Sequence, residues 1–278
     1  MHSKLIAALV QQLGPAQARQ EFRWMLKHSE HSLPDMVRRR CLGEPLQYIL
    51  GSQPFGPLNL LIRPPVLIPR PETEDWVLKL ADRISTPLKP PKYLLDLGTG
   101  SGCIPLLLCH LLPPGTLHAH GVDISPHAIQ LATDNAALYG IPPHSPENTA
   151  SNTFKTSLGN LLAPSFCDDA KLQPPYDIVT SNPPYISWNE YLELPRSVAN
   201  YEDPKALFGG PTGLDFYHAI ARLVRRDGFL RPGAIVALEI GHEQGQDVEH
   251  IMRVEGQLHD TEVWSDPWGK QRTVLAYR

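Results

Sequence analysis

From Tyr93 onward, short apolar runs alternate with helix-patterned segments, and that alternation leaves few folds open. "YLLDLG" reads as a fully apolar strand, followed by the helical "CIPLLLCHLL" with Pro105 in its tolerant first turn. "LHAHGVDI" leads into "SPHAIQLATDNAALYG", where Ser125 caps, Pro126 opens and Gly140 closes a helix. After a polar loop over Pro142–Ser157 leading to a weak strand, "YDIVTS", "GLDFYHAIARLVRRD", "AIVALEIG" and "EQGQDVEHIMRVEG" continue the alternation. "TEVWSD" and "TVLAYR" form a closing pair. Strands without a polar face need cover on both sides. The pattern therefore predicts an α/β fold, a mainly parallel sheet with helices on both faces.

The first third is organised differently. Leu5-Ile6, Leu9-Val10 and Leu13 recur at helical spacing up to Gly14-Pro15. A second helix is expected from Pro15 to about His31 and a third from Pro34 to about Leu42, making residues 1–42 a small helical domain. From Gly43 to Pro71, Gly and Pro break the apolar pieces, which predicts short strands in a hairpin. A helix returns from Glu72 to Ile84, and the proline-stiffened "STPLKPPK" marks a boundary. Residues 43–91 thus read as a hairpin/helix linker and 92–278 as the main domain.

With 42% hydrophobic and 19% charged residues, the chain can bury a substantial core. A net charge of -4 does not point to a broad phosphate-binding surface, although it leaves room for a local basic patch, and stable nucleic-acid binding is not expected. The four cysteines form no Cys-x-x-Cys pair and the histidines no His-x-x-x-His pair beside an acid, so neither a disulfide scaffold nor a metal site is expected. No apolar run approaches the ~20 residues that span a bilayer, and the N-terminus lacks a secretory pattern. A soluble protein without membrane attachment is expected. Residues 1–20 lack Asp and Glu, as an organelle-targeting segment does, but with only Lys4 and Arg19 basic an ordinary amphipathic first helix is the better reading.

Two stretches carry chemistry. In "LLDLGTGSGC", Asp96 ends a strand and Gly98, Gly100 and Gly102 precede a helix, so a ligand can lie against bare backbone at a helix N-terminus. Asp123 ends the next strand, 21 positions after Gly102, where a doubly wound sheet brings a carboxylate to a ribose. Taken alone it could equally be a helix-capping acid. The spacing is Gly-x-Gly-x-Gly rather than the dinucleotide Gly-x-Gly-x-x-Gly, which favours a nucleoside without phosphates, S-adenosylmethionine being the common one.

The second stretch is Asn182-Pro183-Pro184-Tyr185, at the end of the fourth strand of the series. Prolines stop the ladder there. Methyl transfer to a planar nitrogen needs that nitrogen's N–H bonds gripped, because its lone pair is delocalised. The Asn182 side-chain carbonyl and the Pro183 peptide carbonyl offer two acceptors, and Tyr185 offers a face for stacking.

"GEPLQYILG", "LIPRPETE", "DLGTGSG", "VDISPHAI" and "SNPPYI", with weaker matches at "YEDPKALFGGPTGLDFY", "LEIGHEQG" and "DPWGKQR", make the chain resemble the HemK/PrmC protein-(glutamine-N5) methyltransferases over nearly its whole length. The resemblance implies a class I, Rossmann-like methyltransferase that uses S-adenosylmethionine to methylate the glutamine of the Gly-Gly-Gln motif in class I peptide release factors. It assigns Gly98, Thr99, Gly100, Ser101 and Gly102 to the methionine part of the cofactor, and Asp123 to its ribose. Leu161 falls where the family carries an aromatic beside the adenine. Asn182, Pro183, Pro184 and Tyr185 are implied to be the catalytic and glutamine-binding residues, with Asn182 also facing the cofactor. Arg70 and Glu72 are implied to lie near the cofactor or the domain hinge, an Arg-Glu pair there being equally readable as structural. The helical region, which touches the release factor in the family, is short here. The tetrapeptide alone is shared with N6-adenine and guanine-N2 nucleic-acid methyltransferases, which is the alternative reading. "CIPLLLCHLL" is similar to fungal organellar members, implying a mitochondrial home in a eukaryote and a cytoplasmic one otherwise.

Overall fold

Consecutive residues of a strand point to opposite sides, and Leu94 and Leu95 accordingly enter two different cores on the two faces of one sheet. The computed structural model describes all residues except 1, 29–31, 86–91, 145–149, 195–197 and 199. Its main sheet contains β3 (Lys92–Leu97), β4 (Leu117–Asp123), β5 (Thr153–Leu158), β6 (Tyr176–Ser181), β7 (Leu230–Glu239), β8 (His259–Ser265) and β9 (Gln271–Tyr277). The order is β5-β4-β3-β6-β7-β9-β8. The first five are parallel, whereas β9 runs antiparallel to both β7 and β8.

That order has a physical consequence. From β3 the chain moves outward one way to β4 and β5, then returns to place β6 on the other side of β3. The reversal opens a crevice at the carboxyl ends of β3 and β6, the usual ligand position in such sheets. The glycine loop follows β3 and the Asn182 turn follows β6, so the topology alone brings the two sequence stretches together.

One face of the sheet is covered by α5 (Pro71–Ile84), α6 (Cys103–Leu111) and α7 (Pro126–Leu138), whose buried residues share a core with Leu94, Ile178 and Leu275. Trp76 of α5 is among its largest fully buried side chains, and burying an indole of that size stabilises the fold by roughly 4 kcal/mol. The opposite face carries the helices Asp215–Val224 and Gly245–Val254, with Tyr217, Ile220 and Ile251 against Leu95, Val179 and Val236.

The expected hairpin is present as β1 (Ser52–Phe55) and β2 (Leu58–Leu61). Phe55, Leu58 and Leu60 join the α5 side of the sheet core. The helical start comprises α1 (His2–Leu13), α2 (Pro15–Lys27), α3 (Leu33–Cys41) and the short α4 (Leu46–Leu50). Its core runs from Leu9 through Phe22 and Met36 to Leu46 and Ile49, past the expected limit at residue 42. Buried Glu21 and half-buried Arg40 form an ion pair within it, Nε to Oε2 at 2.6 Å. The second helix stops at Lys27; its expected end near His31 and most of "STPLKPPK" lie outside the described residues.

Candidate active site

Gly98 and Gly100 follow β3 with φ of 69° and 55°, a left-handed backbone in which any side chain is strained. Together they expose main chain to a cavity of about 600 Å³ at the sheet's switch point. The wall also includes Asp123, Leu161, Asn182, Pro183 and Pro184. A Cβ on Gly98 would stand 3.8 Å from the Asn182 carbonyl oxygen, so loop and turn face each other across the crevice.

Thr99, Ser101, Gly102 and Tyr185 are not on this wall. Thr99 and Ser101 are buried beneath the loop, and Gly102 lies where a Cβ would meet Leu106 and Ala132 at 3.1 and 3.2 Å. These three shape the loop from behind. The Tyr185 ring packs at the margin of the core that holds Tyr217, and burial pushes its phenol well above the usual range. Gln244 Nε2 donates to the Tyr185 carbonyl at 3.1 Å, which fixes the end of the turn.

Asp123 is held by backbone donors on both oxygens. Its Oδ2 accepts from Gly100 N–H and its Oδ1 from Ser125 N–H, both at 2.9 Å. The cap of α7 is Ser125, whose Oγ accepts from Ala128 N–H at 3.4 Å. The carboxylate is therefore a brace between the glycine loop and the start of α7, with lone pairs left for a ligand. Burial raises its pKa and the N–H groups of Ser125, Gly100 and Ile124 oppose the rise. Asp96, fully buried under the loop, accepts from Thr180 Oγ1 at 2.7 Å, and burial pushes its carboxyl up to about 7.

Arg70 does not pair with Glu72. Its Nη2 donates to both carboxylate oxygens of Glu202 at 2.7 Å, 132 positions along the chain. Asp203 N–H donates to the Pro65 carbonyl at 2.9 Å nearby. The two segments so joined, around Pro65–Leu67 and Asp203–Ala206, supply part of the cavity wall.

Several wall residues were assigned no role by the motifs. Trp188, Tyr191 and Phe208 gather as edge-to-face aromatics, with Phe208 centred 5.6 Å from Trp188 and 5.9 Å from Tyr191. Phe166, which opens the short α8 (Phe166–Asp169), brings an aromatic ring to the wall that includes Leu161. The backbone glycines, the braced carboxylate and the apolar Val66, Leu161 and Phe166 suit a ligand with a polar middle and one flat apolar end.

No protein-family model matches the chain. The Moorella thermoacetica protein named release factor glutamine methyltransferase is 38% identical over 275 residues, covering 99% of this chain and 85% of that protein. The protein of the same name from Bacillus anthracis is 36% identical, covering 89% of this chain and 81% of that protein. The chain belongs to the release factor glutamine methyltransferases. As a member of this methyltransferase family it is an S-adenosylmethionine-dependent enzyme, as its sequence led one to expect. The class I fold has independent support. The human Mettl16 catalytic domain, solved with a hairpin of the MAT2A 3′UTR, superposes with a TM-score of 0.57 at 17% identity, covering 87% of this chain and 81% of that one. A Pyrococcus furiosus methyltransferase superposes at 0.52 and 15% identity, covering 79% and 88%.

Proposed function

We propose that this release factor glutamine methyltransferase methylates the side-chain amide nitrogen of the glutamine in the Gly-Gly-Gln motif of a class I peptide release factor. The observation that carries the reading is the pairing across one crevice of a glycine loop braced by Asp123 with a turn that offers the Asn182 and Pro183 carbonyls. The bound cofactor would supply a methyl carbon on a sulfonium, and sulfur keeps the bonding pair when the new C–N bond forms. Gly98, Gly100 and Asp123 would hold it, and Leu161 with Phe166 would pack its adenine.

On the acceptor side, Asn182 Oδ1 and the Pro183 carbonyl receive the two N–H bonds of the glutamine amide. That grip orients the nitrogen toward the methyl carbon and favours its pyramidalisation as the bond forms. The nitrogen becomes acidic only once methylated, so its surplus proton passes to water without a strong base. Charge management and alignment then supply most of the acceleration. Proline at positions 183 and 184 keeps the second acceptor in a fixed direction.

The net charge of -4 supports a protein substrate over the nucleic-acid alternative, since that balance does not advertise a broad basic channel. The test is methyl incorporation from labelled S-adenosylmethionine into a purified class I release factor. Labelling is expected for the Gly-Gly-Gln protein and is expected to vanish when its glutamine is replaced by alanine. Equal labelling of the two would remove the substrate assignment.

The resemblance of "CIPLLLCHLL" to fungal organellar members supports a mitochondrial home. A fluorescent fusion of the full chain in a fungal cell is expected to overlap a mitochondrial matrix marker; diffuse cytosolic signal would reject it. Among the described residues, no helix is long and apolar enough to cross a membrane.

A further inference from the structure

Asn182 has to present its oxygen, not its amide nitrogen, to a substrate N–H. The two ends of a carboxamide are nearly the same size, so shape alone does not choose between them. In this chain the choice is made by a directed chain of hydrogen bonds reaching in from α5 and β7.

Thr73 and Trp76 lie three positions apart on α5 and so share one helical face, both buried. Glu239 ends β7, and the β6–β7 register pairs Ser181 with Leu238, which places Glu239 beside the start of the Asn182 turn. Glu239 Oε2 accepts from Trp76 Nε1 at 2.9 Å and from Thr73 Oγ1 at 2.6 Å. Asn182 Nδ2 in turn donates to Thr73 Oγ1 at 3.3 Å.

The direction of this chain follows from proton counting. An indole N–H carries no lone pair in its plane and only donates, so the atom that receives it must be an acceptor. With Glu239 as a carboxylate, Oε2 only accepts, so the Thr73 hydroxyl that shares it spends its single proton there. Only lone pairs remain to face Asn182, so the amide NH2 is the end that turns to Thr73. Its Oδ1 is left for the cavity that Asn182 lines.

We propose that Thr73, held by Glu239 and Trp76, is a positioning residue that sets which end of the Asn182 carboxamide meets the substrate amide. This rests on the reading of Asn182 as the substrate's acceptor. None of the three supporting side chains touches substrate; they act through Asn182. A hydroxyl is required and its methyl group is not, so serine at position 73 should serve and valine, which matches threonine in shape, should not.

The experiment compares Thr73→Val, Thr73→Ser and the wild type in two ways. The first is steady-state methylation of the release factor at saturating donor, alongside calorimetric binding of S-adenosylmethionine. Thr73→Val is expected to lower kcat about 10- to 30-fold with donor Kd within about twofold, and Thr73→Ser to keep kcat within about threefold. The second needs no substrate. The Asn182 side-chain NH2 protons, assigned by their absence in Asn182→Asp, are expected to exchange with solvent at least tenfold faster in Thr73→Val than in wild type or Thr73→Ser. Valine with wild-type kcat and exchange, serine as poor as valine, or loss of donor binding in step with kcat would each overturn the proposal. If the wild type leaves the release factor unlabelled yet the exchange pattern holds, the substrate reading fails while the orienting chain stands.

Discussion

Asn182→Ala is expected to lower turnover by roughly 10²–10³-fold, the usual loss when one oriented charge-stabilising partner is deleted, while the donor's Kd changes by less than about threefold. The argument is differential. In the ground state a glutamine amide has water and the Pro183 carbonyl as alternative partners, so losing Asn182 Oδ1 weakens binding modestly. As the C–N bond forms, positive charge builds on the nitrogen and its N–H bonds become strong donors, so the missing oxygen costs most at that moment. The Asn182 backbone stays in place, because Pro183 and Pro184 follow it and β6 precedes it. Gly98 therefore keeps the Asn182 main chain as its neighbour at the crevice, and the donor's seat is undisturbed. The check is a pair of measurements on one preparation: single-turnover methylation at saturating substrates and calorimetric titration with S-adenosylmethionine. Parallel losses in both would show that Asn182 supports the donor rather than the acceptor.

The mainly parallel sheet and both chemical stretches could be read from the chain because each depends on local rules, whereas the strand order that makes the switch point could not. Short apolar strands, glycines at alternate positions and two prolines after a strand have few other uses. The supporting side chains could not be read that way. Thr73 and Glu239 are 166 positions apart, and neither "PETE" nor "LEIG" states that the two meet over one hydroxyl. Arg70 was adjacent in sequence to a plausible acid at Glu72, yet tertiary packing gives it Glu202, which is buried and gains a bidentate partner. Trp188, Tyr191 and Phe208 carry no periodic signal, since they come from a short helix and a loop that become neighbours only when Ile186 bridges to Phe208. Within the motif itself the limits were also physical. In "GTGSG" only Gly98 and Gly100 reach the cavity, while Thr99 and Ser101 are buried and Gly102 packs against Leu106 and Ala132.

The same geometry separates Asp123 from Asn182. Asp123 Oδ2 receives the Gly100 N–H and Oδ1 the Ser125 N–H, and lone pairs remain on the carboxylate for the ribose hydroxyls of the donor. Hydrogen bonds to a charged acceptor contribute about 1.5–3 kcal/mol each. Replacing Asp123 by alanine removes two of them and also leaves the Gly100 and Ser125 N–H groups without their carboxylate, loosening the link between glycine loop and α7. Donor Kd is therefore expected to rise about 10²-fold, close to 3 kcal/mol. At saturating donor, kcat should fall less than about fivefold, because the acceptor grip at residues 182–183 is untouched. Asp123→Asn keeps one oxygen and should sit between, near tenfold in Kd. Calorimetry with S-adenosylmethionine reads the first effect and methylation rates at raised donor concentration the second. A Kd within threefold of wild type would mean that the carboxylate braces the loop and does nothing further for the nucleoside.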